Sequence, residues 1–164
     1  MIEIGDNVQL TAGVRILTHD YSWAVLKKVY GPILGSAGKV KIGNNVFIGS
    51  NTLILGGTSI GNNVIIGAGS VVKGKIPDNC VAVGNPCKPI ESLQTYYEKR
   101  TQRQLIEAKT LAQAYYLHTG KVPSKEFKNQ MSLVGNFDKS IEYLKNKNRL
   151  FSSYQEFIKE VLNE

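Results

Sequence analysis

The sequence predicts a mainly β protein: an N-terminal half wound from short strands into a triangular tube, one extruded loop, and an α-helical C-terminal region. Three observations carry this reading. Aliphatic residues return at every sixth position, at Ile4, Leu10 and Ile16 and again at Ile42, Ile48, Ile54, Ile60, Ile66 and Val72. That spacing breaks once, between Ile16 and Ile42, where the interval is not a multiple of six. Fourteen of the sixteen glycines lie within residues 1–90, so composition changes where the repeat ends.

A strict six excludes the common alternatives. An amphipathic helix repeats its faces at three and four, and a hairpin sheet alternates at two between irregular turns. Small or β-branched residues follow four places later, at Val8, Val14, Val46, Thr52, Thr58, Val64, Ser70 and Ile76, and glycine often follows directly, as at Gly5, Gly43, Gly49, Gly61 and Gly67. Short strands joined by Gly-Asn or Asn-Asn corners produce this pattern, with each aliphatic side chain pointing into the tube. Three six-residue units make one coil of eighteen. Ile42 is then predicted to lie over Ile60, Ile48 over Ile66 and Ile54 over Val72, each coil covering the apolar floor of the next.

The break requires residues from about Tyr21 to Gly38 to leave the tube as a loop carrying Trp23, Lys27, Lys28, Tyr30 and Pro32. Loops on a regular scaffold commonly carry function. After Pro89 the pattern becomes helical. Gln102 to His118 reads as one helix, with Leu105, Ala108, Leu111, Ala112 and Tyr115 on a face and Gly120 as its stop. Ser124 and Asp138 are read as caps of short helices, and Ser153 with Glu156 as a capping box for the last. The expected domains are a repeat domain at 1–90 and a helical extension at 91–164, which either caps the prism end or clamps a neighbouring subunit.

Composition narrows the function classes. The 164 residues carry a net charge of +7 and a pI near 9.4, but the basic excess is spread over both halves, without the arginine-rich tract or stacking aromatics of a nucleic-acid binder. Two cysteines and two histidines suit a reducing cytoplasm and are too few for a zinc finger. The charge-free run from Ile42 to Val72 is long enough to span a bilayer, but its five asparagines would be unsatisfied in lipid. The opening MIEIGDNVQL lacks the basic and apolar regions of a secretory signal. A cytoplasmic protein without a membrane span is expected.

The repeat, together with THDYSW at 18–23 and VGNPCKPI at 83–90, resembles the hexapeptide-repeat acyltransferases, and within them the galactoside, maltose and capsule O-acetyltransferases. The resemblance covers residues 2–90. It implies a left-handed parallel β-helix, assembled as a homotrimer whose active sites lie between adjacent prisms. It also implies direct transfer of an acetyl group from acetyl-CoA to a sugar or polysaccharide hydroxyl, without a metal. Two histidines do not supply the three zinc ligands of the γ-class carbonic anhydrases, which share the prism.

His19 occupies the place of the family's catalytic base. An imidazole that titrates near neutrality can take the acceptor hydroxyl's proton as the new bond forms. Asp20 or a main-chain carbonyl would hold the other ring nitrogen; alternatively Asp20 is a turn residue. The resemblance places Ser50, Ala68, Lys73, Gly74 and Lys88 against acetyl-CoA, small residues admitting the pantetheine and lysines meeting the phosphates. Lys73 and Gly74 stand where the family often has threonine then lysine, and Glu91 where it has a second basic residue, so Lys75 is a substitute cation. For Ser50 and Ala68 the tight repeat itself also demands small residues. Tyr21 and Trp23 either stack on a sugar ring or anchor the loop on the prism. His118 is read as a helix-end residue, and Cys80 and Cys87 as small hydrophobic filling rather than nucleophiles. Other acceptors, an amino sugar, an antibiotic hydroxyl or serine, stay open. So does a non-catalytic assembly subunit.

Overall fold

A computed structural model describes residues 1–121 and residue 159. The chain divides into two compact units, Met1–Tyr97 and Glu98–Glu164.

In the first unit the chain makes four successive coils. The first contains β1 (Ile2–Ile4), β2 (Val8–Leu10) and β3 (Arg15–Ile16). An arm follows, with β4 (His19–Asp20), α1 (Trp23–Tyr30) and β5 (Ser36–Ala37). The second coil contains β6 (Val40–Ile42), β7 (Val46–Ile48) and β8 (Leu53–Ile54), and the third β9 (Ser59–Ile60), β10 (Val64–Ile66) and β11 (Val71–Val72). The fourth contains β12 (Lys75–Ile76) and β13 (Cys80–Val83), after which β14 (Lys88–Ser92) leads into α2 (Leu93–Thr119). Corresponding strands pair in parallel to form three sheets: β1-β6-β9-β12, β2-β7-β10-β13 and β3-β8-β11. β14 closes the second sheet by returning antiparallel along β13.

The register is the predicted one. Ile42 pairs with Ile60, Ile48 with Ile66, and Ile54 with Val72, and all six are buried. The small inward positions that carry hydroxyls are satisfied by the backbone. Thr52 Oγ1 donates to the Gly49 carbonyl at 2.7 Å, Ser70 Oγ to that of Gly67 at 2.6 Å and Thr58 Oγ1 to that of Val72 at 3.1 Å. A buried hydroxyl without such a partner would cost about 1–3 kcal/mol.

Between the first and second sheets the corners are set by asparagine. Asn7, Asn45, Asn63 and Asn79 all take positive φ, between 53° and 56°, a left-handed conformation that asparagine tolerates better than other non-glycine residues. Their side chains form a ladder, each Nδ2 donating to the Oδ1 one coil on at 2.8–2.9 Å. The residues just before them do the same through the backbone: the Asp6, Asn44 and Asn62 amides donate to Asn44, Asn62 and Asp78.

Several expectations need correction. Ile76, expected in the small series that follows each aliphatic residue, instead pairs with Ile60 and fills the inward aliphatic place, because the third-to-fourth step is sixteen residues rather than eighteen. The shortening falls at the turn containing Gly74, whose φ is 82°. The aliphatic residues of the first coil are in sequence register but Ile4 and Leu10 are 47% and 45% exposed, since no described coil covers them. The extruded segment is an arm with its own secondary structure, closed at its base by antiparallel pairing of His19 with Ala37 and Asp20 with Ser36.

α2 begins nine residues before the expected Gln102. Ser92 Oγ accepts from the Thr95 amide at 3.0 Å, a side-chain cap that the pattern of apolar residues does not reveal. Its end is as expected: Gly120 has φ 66° and its amide donates to the Tyr116 carbonyl at 2.8 Å. On this helix Ala108 and Ala112 are buried, whereas Leu111 and Tyr115 of the expected face are exposed. The caps read at Ser124, Asp138 and Ser153 lie outside the described residues.

Ile60 stacks between Ile42 and Ile76, so Ile60→Ala removes contacts to two coils at once. Urea unfolding is expected to show a loss of about 2–5 kcal/mol. Leu117→Ala, at a side chain 84% exposed, should stay within about 0.5 kcal/mol.

Candidate active site

The coils place the candidate residues at two different corners of the prism. The corner between the third and first sheets is where the arm departs. Thr18 turns the chain out of the first coil, and its carbonyl accepts from the Gly38 amide at 2.7 Å, which ties the outgoing strand to the returning one. Gly56, one coil on, lies directly beneath: an added Cβ would sit 3.0 Å from the Thr18 carbonyl oxygen. Lys73 and Gly74 occupy the equivalent corner of the third coil. His19 and Asp20 therefore stand at the root of the arm, both exposed.

His19 Nδ1 lies 3.2 Å from Thr18 Oγ1. Among the described residues, neither Asp20 nor a main-chain carbonyl holds that nitrogen, the two partners expected from the sequence. Asp20 instead engages Ser22, accepting at Oδ1 from the Ser22 amide at 2.9 Å and from its hydroxyl at 2.6 Å. This is the turn-forming use of an aspartate, and it fixes the chain just before α1. The Ser22 hydroxyl and amide, with the Ser36 hydroxyl and the charge of Lys73 behind them, hold the Asp20 carboxyl below its ordinary value.

The arm beyond is apolar and uncovered. Tyr21 and Trp23 meet with ring centroids 4.4 Å apart at an interplanar angle of 50°. Trp23 is half-buried while Tyr21 is exposed. Val25, Val29, Tyr30, Ile33 and Leu34 are all exposed, and α1 contains no buried residue.

Ser50 and Ala68 lie at the corner between the second and third sheets, one above the other in consecutive coils. Ser50 Oγ donates to Thr11 Oγ1 at 3.2 Å, whose hydroxyl donates to the Ile48 carbonyl. The preceding Gly49 is there because a methyl would collide with the Ala68 backbone. Lys88 pairs with Val83 at this same end of the second sheet and is exposed. Ser50, Ala68 and Lys88 thus form one group, and His19, Asp20, Lys73 and Gly74 another. One strand, β8, lies between the Ser50 corner and the Gly56 corner.

Cys80 and Cys87 are buried, and burial pushes both thiols up, which suits packing rather than nucleophilic use. Cys87 packs in the core cluster, its amide donating to the Val71 carbonyl at 2.9 Å. His118 lies in the last turn of α2. Among the described residues no three of His, Cys, Asp and Glu are grouped as metal ligands, and no helix is long and apolar enough to cross a membrane. Sequence reasoning missed Thr18, although it directly precedes His19, because strand neighbours point to opposite faces and only the bend brings the two side chains together. Thr11 was also missed, having no sequence proximity to Ser50.

Chemically, the first corner offers a solvent-facing imidazole held at one nitrogen, beside a carboxylate already committed to the backbone. The second offers a narrow, small-residue edge flanked by a cation.

Comparison with known proteins matches residues 39–74 to the bacterial transferase hexapeptide family, six repeats. Protein CapG of Staphylococcus aureus is 48% identical over 99 residues, which cover 60% of this chain and 57% of that protein. A galactoside acetyltransferase in complex with coenzyme A is 39% identical with a TM-score of 0.50, over 56% of this chain and 45% of the other. A hexapeptide-repeat acetyltransferase of Vibrio cholerae complexed with acetyl coenzyme A is 27% identical with a TM-score of 0.50, over 56% and 49%. The chain spans about half the length of the curated relatives it matches.

Because the Asp20 carboxyl is lowered in the folded protein, its hold on Ser22 is present above the ordinary carboxylate range and is lost as pH falls through the folded value. The Ser22 amide resonance, followed by NMR against pH, should titrate with a midpoint below that of an ordinary aspartate. Ser22→Ala should move the Asp20 midpoint upward, having removed the hydroxyl that contributes most.

Proposed function

We propose that this chain, whose residues 39–74 match the bacterial transferase hexapeptide family, transfers an acetyl group from acetyl-CoA to a hydroxyl of a sugar or polysaccharide precursor. One observation carries the reading: an exposed histidine stands where the arm leaves a prism similar to that of a coenzyme A-bound galactoside acetyltransferase.

His19 Nε2, which has no protein partner among the described residues, takes the proton of the acceptor hydroxyl as its oxygen attacks the thioester carbonyl. The tetrahedral intermediate is steadied by a backbone amide near Ser50. It then expels the coenzyme A thiolate, which recovers the proton from the imidazolium. No acyl-enzyme forms; both substrates are held together, and positioning supplies much of the rate. Ser50 and Ala68 admit the pantetheine, and Lys73, Gly74 and Lys88 line the way to the nucleotide phosphates. Tyr21, on the exposed side of the arm, faces the acceptor, with Trp23 as its support. Asp20 acts through the arm, by fixing the turn at Ser22.

The two-corner arrangement bears on assembly. His19 and the Ser50 group are separated by a face of their own prism, so a complete site draws one group from each of two neighbouring subunits. A homotrimer of prisms provides three such clefts. Residues 1–90 form the transferase domain in this reading, 91–164 an extension, and the protein works in the cytoplasm. The apolar exposed arm favours a second reading, a hexapeptide-repeat subunit that uses its surface for assembly alone.

Thiol release from acetyl-CoA in the presence of candidate saccharides tests the first reading. His19→Ala should lower kcat by about 10²–10⁴-fold. Acceptor-dependent release that ignores this substitution would overturn the assignment of the base, and an absence of acetyl-CoA binding by calorimetry would leave the assembly reading. Light scattering should give three times 18.1 kDa; a monomer would contradict the shared cleft.

A further inference from the structure

A neutral imidazole has one N–H and one lone pair, so it acts as a base at Nε2 only if the proton sits on Nδ1. Among the described residues, the group placed to control this is Thr18, whose Oγ1 lies 3.2 Å from His19 Nδ1. The backbone that carries both side chains is held. The Thr18 carbonyl is bonded to the Gly38 amide at 2.7 Å and rests on Gly56, and its β-branched side chain has restricted rotation. The His19 backbone is fixed by pairing with Ala37. Asp20, the other polar neighbour in sequence, has its Oδ1 committed to Ser22.

Resting on the reading of His19 as the base, we propose that Thr18 is a positioning residue whose hydroxyl oxygen accepts a hydrogen bond from Nδ1–H, keeping the lone pair on Nε2. A hydroxyl can donate or accept, but only the accepting orientation serves the whole reaction. When Nε2 takes a proton the imidazolium carries N–H on both nitrogens, and an accepting oxygen needs no rearrangement. A donating hydroxyl would have to turn over at each cycle. It would also leave the neutral ring protonated at Nε2, where no proton can be accepted. The bend at Thr18 is what puts consecutive side chains on one side, so the arm's departure from the prism and the orientation of the base are one structural event.

The test reads the tautomer directly, independent of transfer activity. In the 164-residue chain with ¹⁵N-labelled histidine and the ring in its neutral form, His19 is expected to show a protonated Nδ1 and an unprotonated Nε2. Thr18→Ser should keep that spectrum. Thr18→Val, of the same shape without the hydroxyl, should shift the population toward Nε2–H, the form an unconstrained histidine favours. His118 serves as the internal reference and should not change. In the acetyl transfer assay Thr18→Val should lower kcat about 3- to 10-fold with KM for acetyl-CoA unchanged, and Thr18→Ser should restore it. A wild-type His19 already protonated at Nε2 overturns the proposal, even if Thr18→Val fails to fold. So does a tautomer ratio that Thr18→Val leaves unaltered. The expected tautomers in a protein without transferase activity would uphold Thr18 as the positioning residue and remove the acetyltransferase reading instead.

Discussion

The constraint on which everything else depends is the parallel register that sets each inward aliphatic side chain on the one beneath. A coil of three short strands has no interior of its own; its apolar floor is covered only by the next coil. Ile42, Ile60 and Ile76 form one such column, Ile48 and Ile66 a second, Ile54 and Val72 a third. Because a slip of one residue would turn every inward side chain outward, the stack tolerates changes in length only at corners. The chain makes two. It inserts the arm after the first coil and deletes two residues after the third, and in both cases the change falls between the third and first sheets.

That choice of corner has a physical reason. Between the first and second sheets, every corner is bound to its neighbours by an asparagine ladder and by amide-to-side-chain bonds running the length of the stack. An insertion there would break hydrogen bonds on both sides of it. Among the described residues the arm's corner carries no such ladder, and its glycines bring backbone against backbone, as Gly56 does under Thr18. The scaffold is stiff where it is laced and permissive where it is not. The candidate base sits in the permissive corner without loosening the core.

Most of the prism was legible because the signal is redundant: each inward position is seen several times over, and a period of six fits neither a helix nor a hairpin. What the period cannot show is a local change of length. Counting onward from Val72 assumes a full coil and so misplaces Ile76, and the two-residue deletion at Gly74 leaves no trace in an eight-residue window. The arm was located but not its contents, since the eight residues of α1 are too few for a helical pattern to stand out, and none of them is buried. α2 starts earlier than its pattern suggests for a different reason. Its opening is set by the Ser92 cap, a polar contact, which apolar spacing does not register.

The candidate site shows the same division between what repetition reveals and what geometry adds. His19, Ser50 and Ala68 were candidates from motifs, but their separation on opposite sides of the third sheet was not legible there. The partners of the acidic residue were equally hidden. Asp20 beside His19 in sequence suggests a pair, yet within a strand adjacent side chains diverge, and the nearest donors to Asp20 lie two residues on at Ser22. Thr18 escapes that rule because it is the bend itself. A residue that leaves a regular scaffold can therefore control its neighbour in a way no residue within the scaffold can, and the same departure that exposes the imidazole supplies the hydroxyl that holds it.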